Sequence, residues 1–212
     1  MELRPQDIVV ALKLMASNGD PWSYSKLGDA LGMSASHVFA SVDRARTARL
    51  LDYAEIPPRA RPDQRARPSR DRQAALPRPN RSNLKEFLIH GVKYAFPVER
   101  GGPTRGIPTA EAAPPLNYHF SQDFPLPPVW PYAEGSVRGI AFSPLYKNVP
   151  QAAAQDSKLY ELLALVDAIR EGRAREPIRL IFYTSDPSTP LKRLISLDRV
   201  GRNRKSVVPR FL

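Results

Sequence analysis

Proline sets the limits on what this chain can build. Inside a helix it removes a hydrogen bond and clashes with the preceding turn, and inside a sheet it removes a ladder donor. Most of the 23 prolines fall between residues 57 and 150, whereas the first fifty residues hold only Pro5 and Pro21. Both stand at helix borders, so residues 1–54 are expected to form a helical unit. Ile8, Val9, Leu12 and Met15 recur at helical spacing between about Gln6 and Ser17 and make one apolar face. Gly19 and Pro21 in "SNGDP" stop that helix. Ser23 is placed to cap a second helix whose Leu27 and Leu31 face inward. Gly32 ends it, where a left-handed residue costs least. Ser34 is placed to cap a third helix that continues to about Leu51, with His37 where a capping box would want Glu or Gln.

Beyond residue 54 the composition changes. Residues 55–82, "EIPPRARPDQRARPSRDRQAALPRPNRS", hold almost no large apolar side chains. Such a stretch cannot bury enough surface to offset its ordering entropy. It is expected to be a flexible, positively charged linker, either an arm that touches nucleic acid or a solvated insertion. In residues 83–110, "LKEFLIH" reads as a short helix capped by Ser82 or Asn83 and ended by Gly91. Val92, Tyr94, Phe96 and Val98 then alternate with Lys93, Ala95, Pro97 and Glu99, the period of a strand with one buried face, with Pro97 marking an edge. "RGGPTRG" is a turn signal, which predicts a β-hairpin with Arg100 and Arg105 flanking its tip. Residues 111–155 read as an extended, proline-rich segment whose aromatic residues either pack along the fold or serve as a proline-rich ligand for a partner. Residues 156–176 read as an amphipathic helix capped by Asp156 or Ser157, with Leu159, Leu162, Leu163, Val166 and Ile169 in one stripe and Gly172 near its end. That stripe needs a cover, from the chain's own core or from a second copy. Residues 177–212 hold one strand-like run, "IRLIFYT", and a basic tail.

The chain has 212 residues, enough for one or two small domains, and 42% of them are hydrophobic, near the low end for a folded domain. The formal net charge is +11 and the pI about 10.2. A protein this basic is usually held near nucleic acid or an anionic membrane surface. An arginine-rich composition inherited from a GC-rich genome would give the same charge without such a partner. With no cysteine, disulfides, thiol catalysis and thiolate metal sites are excluded. No apolar run approaches the ~18 residues of a membrane span. The opening "MELRPQDIVVALKL" lacks the pattern of a signal peptide. A cytoplasmic protein with no membrane partner is expected.

Enzyme signatures are sparse. His37, His90 and His119 are isolated, without metal-ligand spacing to acidic neighbours. There is no Walker loop, nucleotide-binding glycine fingerprint or nucleophile elbow. Ser23 and Lys26 match the Ser-x-x-Lys spacing of some acyl-transfer enzymes, but a helix cap followed by a solvated lysine accounts for the same residues. The chain is expected not to be an enzyme and to need no cofactor.

The third helix carries more. On a wheel of 100 degrees per residue, Val38, Val42 and Ala45 share the buried stripe, and Ser36, Ala40, Asp43, Arg44 and Thr47 lie opposite, flanked by His37 and Phe39. Small side chains let a helix approach base-pair edges closely, and an arginine among them can reach guanine or a phosphate. The same face is also what the wet side of any surface helix looks like. Gly28 falls where the second and third helices cross and Gly32 falls in the turn, as a helix-turn-helix requires. The segment "WSYSKLGDALGMSASHVFASVDRARTARLL" resembles the helix-turn-helix of bacterial winged-helix regulators of the broadly MarR-like kind. "EFLIHGVKYAFP", "RGIPTA" and "LYELLALVDAIREGRARE" resemble bacterial proteins described only as helix-turn-helix regulators. The resemblance implies a recognition helix from about Ser34 to Ala48 and a homodimer on a near-palindromic site in double-stranded DNA. The chain departs from the pattern in two places. The arginine–proline segment separates the helix from the wing, and Asp43 sits on the proposed DNA face, where it repels phosphate unless Arg46 or Arg44 pairs with it.

The expected fold is therefore mainly α with a small β-hairpin: a winged helix-turn-helix, an extended proline-rich region and a C-terminal amphipathic helix. The expected function is sequence-specific DNA binding by a transcription regulator. Ser34, Ser36, His37, Ala40, Arg44 and Thr47 would meet DNA from the third helix, and Arg100 and Arg105 from the wing. Arg44→Ala would then weaken specific binding by about 1–3 kcal/mol. The alternative is a protein-interaction module, antitoxin-like or adaptor, whose helix 156–176 binds a partner or a second copy. Nonspecific nucleic-acid compaction would instead give equal affinity for all sequences.

Overall fold

The computed structural model describes residues 2–17, 19–52, 77–118 and 125–172. Among these the chain is mainly helical, with small sheets. The proposed linker's residues 55–76, His119 and the segment 177–212 with its strand-like run lie outside the described residues.

Helix α1 spans Pro5–Ala16. Proline at its first position loses no hydrogen bond there, because that amide has no helical acceptor. Ile8, Val9, Val10, Leu12 and Leu14 are all buried, and Met15 is half-buried. The expected single apolar face is thus too narrow. α1 is covered on several sides and is a central helix of the fold. Helix α2, Tyr24–Leu31, begins at Ser23, whose hydroxyl accepts the Lys26 amide at 3.2 Å. It ends at Gly32, which is left-handed with φ 61°. Helix α3, Ala35–Thr47, begins at Ser34, whose hydroxyl accepts the His37 amide at 3.2 Å. Both α2 and α3 pack on α1.

After α3 the two-residue strand β1, Leu51–Asp52, pairs antiparallel with β2, Arg78–Pro79. The chain therefore leaves and re-enters at one place. Residues 77–82 are not linker: Pro77 is buried, β2 contacts α1, and helix α4 already starts at Arg81. α4, Arg81–His90, is capped by Asn80 rather than by Ser82 or Asn83. The Asn80 carboxamide oxygen accepts the Asn83 amide at 3.0 Å, and its nitrogen donates to Asp52 at 2.8 Å. The strand expected over 92–98 is instead the short helix α5, Val92–Ala95, followed by an irregular stretch. Its period-two pattern has no matching buried face. Val92 is buried, but Tyr94 is 75% exposed.

Strand β3, Arg100–Pro108, pairs antiparallel with both β4, Pro128–Pro131, and β5, Val137–Phe142, while β4 and β5 run parallel, so the three strands close on themselves. Glycine permits this tight closure. A Cβ on Gly106 would strike the Trp130 carbonyl, and one on Gly139 the Pro127 carbonyl. The segment 111–155 is accordingly not simply extended: it supplies β4, β5 and helix α6, Val149–Gln155. Trp130 and Phe142 are fully buried and pack into the fold, whereas Tyr118 is 71% exposed.

Helix α7 spans Ser157–Glu171. Asp156 caps it by accepting the Lys158 and Leu159 amides, and left-handed Gly172 ends it. Leu159, Leu163, Val166 and Ile169 are buried and Leu162 is half-buried. α7 packs on α1, α4, α5, α6 and the single turn Ala110–Ala112. Among the described residues no helix is long and apolar enough to cross a membrane.

Candidate nucleic-acid interface

The face under question is the outer side of α3. Its inner side is fixed: Val38, Ser41, Val42 and Ala45 are buried. The turn into α3 folds back so closely on α2 that a Cβ on Gly28 would lie 2.5 Å from the Met33 carbonyl oxygen. Asn148, ahead of α6, adds a further tie by donating to the Gly32 carbonyl at 2.5 Å. On the outer side Ser36, His37 and Thr47 are exposed and Ala40 is half-buried. Ser34 is exposed too, with its hydroxyl engaged as the cap. The Thr47 hydroxyl donates to the Asp43 carbonyl at 3.0 Å. Phe39 is 58% exposed and meets Tyr24 edge-on at 5.4 Å, and Tyr24 in turn meets Trp22 edge-on at 5.2 Å. Burial raises the Tyr24 hydroxyl above its ordinary pKa, with the Arg46 charge pulling against it.

Arg44 does not belong to this face. Its Nε and Nη2 donate to the two carboxylate oxygens of Asp7 on α1, at 2.8 and 2.6 Å, and Nη2 also reaches the Ser41 hydroxyl at 3.2 Å. Asp7 is fully buried and further accepts the Arg4 amide at 2.9 Å. The hydrogen bond to Asp7 raises the Arg44 pKa further. The expected base-reading arginine is therefore a clamp between α3 and α1. The wheel places it opposite the apolar stripe, but a side chain this long turns back to a buried charge. Nothing local in the sequence marks Asp7 for this role, because an acid in the first helical turn reads as a complement to the helix dipole. Its partner lies 37 residues away. Asp43 is paired with Arg46 at 2.9 Å, which removes the repulsion expected of a bare carboxylate there.

The wing does not form where the sequence predicts it. "RGGPTRG" lies inside β3, not at a hairpin tip, with an irregularity in pairing between Arg100 and Pro103. Arg100 forms an ion pair with Glu171 at the end of α7. Arg105 is in mid-strand, opposite Arg138 of β5, and exposed. Local turn residues predict a turn, whereas here glycine and proline serve a closed three-stranded sheet. The apolar stripe of α7 is also accounted for. Leu159, Leu163, Val166 and Ile169 are buried in the chain's own core and not offered to a partner or second copy, and only Leu162 of the stripe is half-buried.

A polar centre lies beneath α7. Asp167 is buried and accepts from Trp130 Nε1 at 2.6 Å, Thr109 Oγ1 at 2.9 Å and Arg170 Nη1 at 2.6 Å. Arg170 also donates to the carbonyls of Phe96, Ser143 and Pro97. Burial lifts the Asp167 carboxyl above its ordinary value, against Arg170, Trp130 and Thr109, which favour its charged form. The Tyr160 hydroxyl donates to the Pro108 carbonyl at 2.8 Å, and burial pushes it up to about 12. These groups tie α7 to β3 and β4 and to Thr109 and Ser143, the residues that follow β3 and β5. His37 and His90 are exposed, and Ser23 serves α2 as its cap, the plainer account of its spacing to Lys26. Among the described residues no group of three or more His, Cys, Asp or Glu is placed to hold a metal. Comparison with models of known protein families, with curated proteins and with solved structures found no match.

Proposed function

We propose that this protein binds double-stranded DNA in a sequence-dependent way and regulates transcription, with α2, the turn at Gly32 and α3 acting as a helix-turn-helix. The observation that carries the reading is the asymmetry of α3. One side is locked by buried contacts, while Ser36, His37 and Thr47 stand exposed on the other, with small Ala40 between them. A rigid helix with a low outer profile can approach base edges in a major groove, where serine, threonine and alanine make polar and methyl contacts. Lys26 on α2 and Arg49 just past α3 are exposed and supply charge for phosphates. Arg44 acts as a positioning residue by holding α3 on α1. The net charge of +11 favours a polyanion and implies steep salt dependence.

The test is selection of duplexes from a random pool, followed by Ser36→Glu and Ala40→Glu variants. The wild type should enrich a defined sequence. Each variant should lose that enrichment while keeping its far-ultraviolet circular dichroism. Equal enrichment by the glutamate variants would remove α3 from the interface.

A further inference from the structure

Arg105 and Arg138 stand directly opposite each other on the antiparallel strands β3 and β5. Residues so paired share one face of the sheet, with Cβ atoms about 4.5–5.5 Å apart. Both are exposed, and among the described residues neither guanidinium has an ion-pair or hydrogen-bond partner. Arg44, Arg46, Arg100 and Arg170 each pair with an acid, whereas the exposed Arg49 and Arg78, like this pair, show no ion pair among the described residues. Glu134, in the connection from β4 to β5, instead accepts the Tyr132 hydroxyl at 3.2 Å. Like charges facing across a strand pair destabilise the sheet. The backbone beneath them is nonetheless firmly held. The Arg105 carbonyl accepts the Tyr132 amide at 3.2 Å, and Gly106 and Gly139, next in sequence, let the strands close.

We propose that Arg105 and Arg138 together form a phosphate-binding site. Two guanidinium forks borne at facing positions on neighbouring strands can offer paired N–H donors to one phosphate group. Its negative charge relieves the repulsion between them. The phosphate belongs either to a nucleic-acid backbone or to a small phosphorylated molecule. The site goes beyond the DNA reading of α3 and does not depend on it.

The test compares wild type with R105Q, R138Q and the double variant, in buffer free of other multivalent anions. Without added anion each single variant should melt higher than wild type, because the repulsion is gone. Inorganic phosphate or a short random-sequence duplex should then raise the melting temperature of wild type more than that of the double variant. If the site holds a nucleic-acid backbone, the double variant's log affinity for the duplex should fall less steeply with log salt, by about 0.9 for each phosphate it no longer neutralises. A site for small phosphates would leave that slope unchanged and show its shift with inorganic phosphate alone. The same melting shifts and the same slope in wild type and double variant would overturn the proposal. Random sequence keeps this result separate from base recognition by α3.

Discussion

A carboxylate with no exposure must be paired or lose its charge. Asp7 is paired, and its partner Arg44 is the residue that the helical wheel assigns to DNA. Removing one member of such a pair leaves a buried charge uncompensated, at about 3–5 kcal/mol. Arg44→Ala should therefore lower the free energy of urea unfolding by about that much. Arg46→Ala breaks a partly exposed pair on the same helix, whose members flank Arg44 in sequence, and should cost no more than about 0.5 kcal/mol. Asp7→Leu with Arg44→Met should be milder than Arg44→Ala alone, because no charge is stranded. If Arg44→Ala proves as mild as Arg46→Ala, the clamp is not what fixes α3.

At the scale of elements, α7 is joined to α1 through its own cap. Lys13 donates to Asp156 at 2.7 Å while Asp156 caps α7. Burial pushes the Asp156 carboxyl upward, but the Lys13 ammonium and the Leu159 and Lys158 amides outweigh it and hold the pKa below its ordinary value of 3.8. A group lowered by folding stabilises the fold above its unfolded pKa, and that contribution fades as pH falls through the folded value. Wild-type melting should thus drop on acidification through and below 3.8. Asp156→Asn keeps a capping side chain but has no carboxylate to protonate, so its melting should drop less. Equal acid sensitivity in the two proteins would contradict this. The elements also differ in how legible they are in the sequence. α1, α2, α3 and α7, with the caps Ser23, Ser34 and Asp156 and the stops Gly32 and Gly172, are all readable because helices are specified by neighbours a few residues apart. The strands are not. β3 pairs with segments 20 and more residues downstream. Its glycines answer to the Trp130 carbonyl and to strand closure, which no local window contains.

For the whole molecule, the candidate site is legible in part. Ser36, His37, Ala40 and Thr47 can be placed from periodicity alone. The turning of Arg44 to Asp7, the pairing of Arg100 with Glu171 and the facing of Arg105 by Arg138 depend on contacts between distant segments. What survives at this scale is a basic chain whose α3 is locked on one side and open on the other. We propose that the open side reads sequence. The most direct measurement is anisotropy titration of the duplex upstream of its own gene against a scrambled duplex of equal length, at low and at near-physiological salt. Both affinities should fall with salt, since phosphate contacts release counterions, while the preference for the native sequence persists. Equal affinities for the two duplexes at both salt concentrations would contradict the account and leave only a basic protein attracted to a polyanion.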